Sequence, residues 1–399
     1  MANVTRYLHS QIQTDALDQG KIAFINGPRQ VGKTTLAEAV LSDLGQEEHY
    51  YTWDDDEFRR VWAKGLKDFF NQFKHGSTLV LDEIHKDRKW KTKLKGAYDL
   101  HKKDIRFMVT GSARLDFYRR FGDSLQGRYL PYRMHPLSVG EETFVKPPPE
   151  NEWDEIFSNQ FSWEDLLQYS GFPEPFFLQN KQKARRWQRL YRERLMQQDL
   201  RDLEGIRDVR QVESLGLLLQ ERVGSQLSYE ALRQDLSVSF DSVKRWIELL
   251  EALYFCYRIR PYSKGVKNSL RKEPKLFLYD WSLGITDGGK FENLIAGHLL
   301  KSCHAWTDCG FGEFDLNYVR DKQKREVDFL VVRDGEPFAL IEVKSGQAQP
   351  TPALLHFQKM LQPKFCLQVV KNQRNEKRKS SLHPGVRIIS VEKFLGGLV

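Results

Sequence analysis

Four cysteines in 399 residues, Cys256, Cys303, Cys309 and Cys366, are too few and too scattered for a disulfide framework. That scarcity points to a reducing compartment, and the cytoplasm is the expected location. His298, Cys303, His304 and Cys309 lack the C-x-x-C or H-x-x-x-H spacing of a zinc site, so they read as core cysteines and surface histidines. No apolar run approaches the roughly 18 residues of a membrane span, and no basic-then-apolar segment opens the chain. A membrane partner and a secretory signal are therefore not expected. Disorder is not expected either, because 40% of the residues are hydrophobic against 29% charged. A chain of this length has room for two or three domains, each burying its own core.

What is present begins with Gly27-Pro28-Arg29-Gln30-Val31-Gly32-Lys33-Thr34-Thr35. This passage follows the apolar run Ile22 to Ile25 and opens an amphipathic stretch from Thr34 to Leu44. Strand, glycine-rich loop and helix, in that order, are the setting in which G-x-x-x-x-G-K-[ST] binds the phosphates of a nucleoside triphosphate. Backbone N–H groups turn inward around the phosphates, and the helix N-terminus adds partial positive charge. Lys33 is placed to reach the β- and γ-phosphates, and the Thr34 hydroxyl to ligate Mg²⁺. The β-prone run Thr78 to Leu81 ends in Asp82-Glu83. Asp82 is then expected to hold Mg²⁺ and Glu83 to polarise the attacking water. Another buried strand, Arg106 to Val109, ends at Thr110-Gly111-Ser112, where a hydroxyl either senses the γ-phosphate or simply ends the strand. Hydrolysis of the triphosphate, not binding alone, is expected.

Three segments follow from the patterning. Residues 1–145 alternate β-like runs (Ile22 to Ile25, His49 to Trp53, Leu79 to Leu81, Phe107 to Val109) with helical stretches, the pattern of a parallel sheet with helices on both faces. Lys146-Pro147-Pro148-Pro149-Glu150 breaks that pattern. Residues 150–262 read as helical and finish like a winged helix-turn-helix. A helix from Val212 to Val223 leads to one from Tyr229 to Leu236 capped by Ser228. A longer helix capped by Ser237 or Ser239 follows, and then a wing strand from Tyr254 to Ile259. Lys244 and Arg245 either meet DNA phosphates there or sit on an interdomain helical bundle.

The net charge of +8 is concentrated. Lys181 to Arg194 holds seven basic residues against Glu193, with Trp187 and Tyr191 interleaved. Arg258 to Lys275 and Lys371 to Lys379 are further clusters. Any one of them reads equally as a solvated face; the three together favour DNA as a partner.

Residues 275–399 carry chemistry of their own. Arg325 to Val332 and Pro337 to Lys344 read as two strands joined at Arg333-Asp334-Gly335-Glu336. With a loop from Asp334 to Glu336, Asp328 lies opposite Glu342, their Cβ atoms about 5 Å apart. Glu342 and Lys344 share a face because side chains alternate along a strand. Two carboxylates and an ammonium then converge, enough to hold Mg²⁺ and set a water against a phosphodiester. Glu292, near the start of the amphipathic stretch Phe291 to Leu300, is a fourth candidate. The competing reading is an exposed hairpin with an ordinary cross-strand ion pair.

With these motifs stand Leu81-Asp82-Glu83-Ile84, Thr110-Gly111-Ser112-Ala113-Arg114, Gly127-Arg128 before Pro136-Leu137-Ser138, Gly171-Phe172-Pro173-Glu174, and Lys275-Leu276-Phe277-Leu278-Tyr279-Asp280. From about residue 5 to 346 the chain resembles a family of prokaryotic AAA-type ATPases with a long C-terminal domain of unassigned function. The resemblance implies an α/β chain with three parts. These are an AAA-type P-loop core with a parallel sheet, a helical and winged-helix middle region, and a C-terminal fold similar to the restriction-endonuclease-like PD-(D/E)xK nucleases. A homo-oligomer is implied too, in which Arg128 either reaches a neighbour's nucleotide or forms a structural ion pair.

The expected activity is ATP-driven DNA processing with ATP and Mg²⁺. Lys33, Glu83 and Arg128 serve hydrolysis, and Asp328, Glu342 and Lys344 serve cleavage. Thr34 and Asp82 would hold one metal, and Asp328, Glu342 and Glu292 another. The rival expectations are an ATP-dependent switch or DNA-binding regulator that does not cut, and a chaperone-like ATPase acting on a protein.

Overall fold

The computed structural model describes residues 4–112, 125–142, 146–148, 160–196, 200, 208–263, 273–346, 349–371 and 385–399. The chain divides into two compact units, residues 1–135 and 136–399. Among the described residues no helix is long and apolar enough to cross a membrane. Ala113 and Arg114 lie outside the described residues, as do the basic residues between 264 and 272 and between 374 and 379.

The first unit runs β1 (Ile22–Asn26), α1 (Lys33–Asp43), β2 (Tyr50–Thr52), α2 (Asp56–Lys64), β3 (Ser77–Asp82), α3 (Trp90–His101), β4 (Ile105–Gly111) and β5 (Tyr129–Arg133). The strands pair in the order β2-β3-β4-β1-β5, parallel throughout, as the alternation of runs predicts. β1 and β3 are buried at every position, which for side chains that alternate means both faces of the sheet are covered. Phe58 and Trp62 of α2 join Trp90, Leu94 and Tyr98 of α3 against Phe24, Leu79, Leu81 and Phe107 of the sheet. Each such side chain contributes roughly 1.5–3 kcal/mol on burial. α2 starts where the Asp55 carboxylate accepts from Glu57 N at 2.9 Å. The strand order brings the C-terminal ends of β1, β4 and β3 side by side, the edge at which parallel sheets take ligands.

In the second unit α4 (Lys181–Arg194) precedes α5 (Val209–Glu221), α6 (Tyr229–Leu236) and α7 (Phe240–Ala252). Ser228 caps α6 as expected, its hydroxyl accepting from Ala231 N. Of the two serines proposed for the next cap, Ser239 does the work, accepting from Ser242 N at 3.1 Å. Ser237 is left-handed and closes α6 instead. Then come β6 (Cys256–Pro261), β7 (Lys275–Leu278), α8 (Asp287–Asp308), β8 (Phe314–Arg320), β9 (Glu326–Arg333), β10 (Glu336–Lys344), α9 (Pro352–Leu361), β11 (Phe365–Val370) and β12 (Arg387–Ser390).

These strands form one seven-stranded sheet, β12-β11-β10-β9-β8-β6-β7. The strand expected as a wing at 254–259 is β6. It is antiparallel to β7, and it is also paired in parallel with β8. The boundary expected between 262 and 275 therefore falls between two strands of a single sheet, and the helical region joins the C-terminal strands in one unit. β7 is the edge strand, and Asn293 of α8 covers it. Its side chain accepts from Leu278 N at 2.9 Å and donates to Leu278 O at 2.8 Å.

The hairpin β9–β10 reaches the expected register by a different route. Its turn is two residues, Asp334 (φ +52°) and Gly335 (φ +85°), with Arg333 opposite Glu336. Continued unchanged, that pairing sets Asp328 opposite Ile341 and sends it to the wrong face. A bulge between Pro337 and Ala339 adds one residue to β10, so that Ile341 pairs with Phe329 and Glu342 comes opposite Asp328.

Candidate functional site

The loop after β1 is shaped by two glycines. Gly27 has φ +155°, and a Cβ there would lie 2.2 Å from the carbonyl oxygen of Met134, so no other residue fits. Gly32 has φ +102° and leads into α1. Lys33, the first residue of α1, is buried, and its ammonium donates to the carbonyls of Gly27 at 3.0 Å and Pro28 at 2.6 Å. Thr34 and Thr35 are exposed at the helix start. A loop of this form, with glycines where a Cβ would intrude and a lysine at a helix N-terminus, fits a triphosphate.

Asp82 ends β3 beside it. One carboxylate oxygen accepts from the Thr110 hydroxyl at 2.5 Å and the other from the Tyr50 hydroxyl at 2.6 Å. Thr110, one of the two residues proposed to sense the γ-phosphate, is thus engaged in orienting Asp82. Tyr50 also shares a side-chain hydrogen bond with Thr34. Burial, reinforced by the Asp82 carboxylate, raises the Tyr50 pKa far above that of a free phenol and keeps it a donor. Sequence reasoning missed Tyr50. It reaches Asp82 only through the parallel register of β2 on β3 (Thr52 opposite Asp82), which no local motif announces. Glu83 has φ +56°; one of its carboxylate oxygens accepts from Ser112 N at 3.1 Å, and the other lies 3.4 Å from His85 Nε2. Asp82 and Glu83 therefore lie at the ends of β3 and β4, beside the P-loop.

Arg128 stands elsewhere. It precedes β5, and its carbonyl accepts from Ile22 N at the start of β1, the end of the sheet opposite the P-loop. Its guanidinium is bidentate to Asp99, at 2.7 and 3.1 Å.

In the second unit Asp328, Glu342 and Lys344 do come together. Asp328 accepts from Val343 N at 2.9 Å, across the hairpin from Glu342. Glu342 accepts from the Thr351 hydroxyl at 2.7 and 2.9 Å and pairs with Lys344 at 3.2 Å. Thr351 also caps α9, accepting from Leu354 N at 3.1 Å. Burial, with Asp328 adding to it, raises the Glu342 pKa. Glu292 faces a different partner, the buried ammonium of Lys275 on β7, at 3.1 Å. The same ammonium lies 2.8 Å from Glu326 and 3.7 Å from Asp328. Burial pushes the Glu292 carboxyl up to about 7 against the pull of Lys275.

The carboxylates proposed as metal ligands are thus turned onto protein donors, and they do not fit a metal as arranged. Among the described residues no group of three His, Cys, Asp or Glu side chains is disposed to hold one. Lys275 and Glu326 were missed. Glu326 stands two residues before Asp328 on one strand, so strand alternation alone could have placed it on the same face.

Of the basic clusters, α4 is the best described. Ala184, Trp187 and Tyr191 are buried, the two rings stacked 4.8 Å apart, while Lys181, Lys183, Arg185, Arg186, Arg189 and Arg194 are exposed. Lys244 and Arg245 are exposed on α7. In the second cluster Arg258 is spent on Glu251 and the Tyr229 hydroxyl, and Lys275 on the acids described above.

Residues 19–143 match an AAA domain. Residues 160–287 and 287–394 match two domains of unknown function, DUF8612 and DUF4143. An uncharacterized protein of Haemophilus influenzae is 22% identical over 84% of this chain and 85% of its own length. One from Methanocaldococcus jannaschii is 23% identical over 83% of this chain and 76% of its own. Among solved structures, Aeropyrum pernix ORC1 in complex with DNA aligns over 74% of this chain and 93% of that one, with TM-score 0.33 and 13% identity. AMPPCP-bound DnaA from Aquifex aeolicus aligns over 61% and 86%, with TM-score 0.31 and 15% identity. The five-stranded parallel sheet and the P-loop of the first unit lie within the residues that match an AAA domain.

Proposed function

We propose that the chain hydrolyses ATP in its first unit and binds DNA with its second. The observation that carries the ATPase half is the grouping of Lys33, Thr34, Asp82 and Glu83 at one edge of a parallel sheet. Backbone N–H groups of residues 27–35 and the Lys33 ammonium would hold the β- and γ-phosphates, with Thr34 and Asp82 placed for Mg²⁺. The ion, when bound, would offset charge on the transferring phosphoryl group. Tyr50 and Thr110 fix the Asp82 carboxylate, and Glu83 is the group positioned to orient a water. Arg128 is read as acting on a neighbouring copy in a homo-oligomer, since it is remote from its own loop. Three of the four cysteines are buried, which suits a reducing compartment such as the cytoplasm.

The DNA half rests on α4, whose exposed face carries six basic side chains, and on α5 to β7. The latter comprise three helices, two isolated bridges (Val223 with Leu276 and Gln226 with Lys275) and an antiparallel strand pair, a set of elements that supports the winged-helix reading. Lys244 and Arg245 on the third of those helices would meet phosphates. The hairpin of Asp328, Glu342 and Lys344 makes the seven-stranded sheet a candidate nuclease. The engagement of Asp328 and Glu292 by Lys275 favours the second reading, an ATP-dependent switch that holds DNA without cutting it.

The test is ATP turnover measured with and without duplex DNA. Glu83→Gln should retain nucleotide binding and lose most turnover. Changing Lys181, Lys183, Arg185 and Arg186 to glutamate should remove DNA stimulation, weaken DNA binding and flatten its salt dependence. Wild-type turnover in Glu83→Gln removes the hydrolytic assignment. DNA binding indifferent to salt and to the four reversals moves the proposal to a protein partner.

A further inference from the structure

Lys275 is more thoroughly enclosed than a bystander in a basic cluster would be. Its side chain is 4% exposed. Glu326, Glu292 and Asp328 lie 2.8, 3.1 and 3.7 Å from its Nζ, and the Tyr318 ring centroid lies 5.6 Å away. Glu326 and Asp328 share one face of β9, Glu292 comes from the first turns of α8, and Lys275 comes from the edge strand β7. Two elements, β9 and α8, thus turn carboxylates towards one point, and the point is filled by an ammonium from a third.

A cross-strand ion pair requires one acid, not three. Glu326 is also met by Arg320 at 2.7 Å; gathering Glu292 and Asp328 as well around one lysine in a partly buried site is costly, so stability alone is a poor account of the cluster. Two of the three acids, Asp328 and Glu292, are the ones the hairpin reading assigns to a metal. A divalent ion held by carboxylates sits about 2.0–2.6 Å from their oxygens, which leaves no room for an ammonium at the same place. Two cations there would also repel strongly.

We infer that Lys275 is the resident cation of the acid site, and that a divalent ion enters only where the Lys275 ammonium has left. The inference rests on the nuclease-like reading for what the site does once loaded. Its own content is the exclusion. The backbone of β7 is held on its outer side, by Gly224 N on Leu276 O at 2.8 Å, Leu276 N on Ser225 O at 3.2 Å and the Asn293 side chain on Leu278, so the departure is a movement of the long Lys275 side chain and not of the strand.

The experiment is Mn²⁺ binding to the full chain without nucleotide, followed by electron paramagnetic resonance, for wild type, Lys275→Gln and Lys275→Gln/Asp328→Asn. Removing a unit charge about 4 Å from the site should tighten binding by at least about tenfold in Lys275→Gln, and the double variant should lose that gain. Equal affinity in wild type and Lys275→Gln, with ATP binding intact in both, overturns the exclusion. If Lys275→Gln fails to fold, acetic anhydride labelling of wild type replaces it. Lys275 should become more reactive as Mn²⁺ saturates a site that Asp328→Asn abolishes; unchanged reactivity at saturation overturns the inference. DNA cleavage is scored separately. Gain of Mn²⁺ without cutting upholds the exclusion and removes the nuclease reading. Mg²⁺-dependent cutting by wild type, with no Mn²⁺ gain in Lys275→Gln, does the reverse.

Discussion

Replacing Gly27 by alanine isolates the geometric requirement of the phosphate loop. The new Cβ would sit 2.2 Å from the Met134 carbonyl oxygen, about 1 Å inside an ordinary contact, on a backbone with φ +155°. That φ belongs to a region occupied almost only by glycine, and a non-glycine residue held in so sparsely populated a conformation is strained by roughly 1–3 kcal/mol before any clash is counted. Met134 cannot simply retreat, because its N–H donates to Asn26 O at 2.7 Å at the end of β1. The loop must therefore shift and draw its N–H groups off the phosphates. A loss of about 3 kcal/mol of binding corresponds to an affinity for ATP lower by roughly 100-fold. Gly45→Ala is the control, since it too has positive φ (+62°) but meets nothing within 4 Å. Both variants should lose some thermal stability, and only Gly27→Ala should lose binding of a fluorescent ATP analogue. A Gly27→Ala protein that binds within about threefold of wild type refutes the reasoning, because 3 kcal/mol cannot hide in so small a change.

Arg128→Ala alone should lower turnover, and mixing it with Lys33→Ala subunits should restore part of it if Arg128 serves a neighbour's nucleotide. Confirmed mixed assembly without rescue leaves Arg128 as the partner of Asp99 and nothing more. His298 predicts an acid limb in stability. Burial holds its pKa down to about 4, below the usual 6.5, as a neutral ring that accepts from Val139 N and is bonded to Leu294 O. Because the folded pKa is the lower one, the stabilisation is complete above pH 6.5 and is lost as pH falls towards 4, about 3 kcal/mol in all. Denaturant titrations of His298→Gln should show a flatter slope across that window than wild type, and identical slopes would exclude His298 as the source.

The ATPase unit was legible because its signals are local. A strand, a loop with glycines at fixed spacing and a helix occupy adjacent positions, and Asp82-Glu83 ends a strand that is buried throughout. The hairpin register was legible for a less secure reason. A three-residue loop, and a two-residue turn followed by a bulge, add the same residue to β10, so either puts Asp328 opposite Glu342. The wing was read as the end of a domain because a strand after three helices ordinarily ends one. The pairing of Arg260 with Asn317 and Pro261 with Tyr318 that draws β6 into the larger sheet spans a long stretch of chain. On α4 the spacing of Trp187 and Tyr191, four residues apart, suffices to place both rings in the core and the arginines outside.

Two lysines show where reading a sequence stops being possible. Lys33 donates to carbonyls six and five residues before it, so the motif that names it also contains its surroundings. Lys275 meets Glu292 17 residues on and reaches Glu326 and Asp328 only because β9, β8, β6 and β7 lie side by side in that order. Counted along the chain it is the last of seven basic residues in a run. Packed into the sheet it faces three negative charges, one of which it shares with Arg320. The chemistry of a charged side chain is set by what it is desolvated against, and for an edge strand that partner is chosen by topology rather than by neighbours in sequence. A site whose acids are read from a local motif can therefore carry an occupant that no local motif shows.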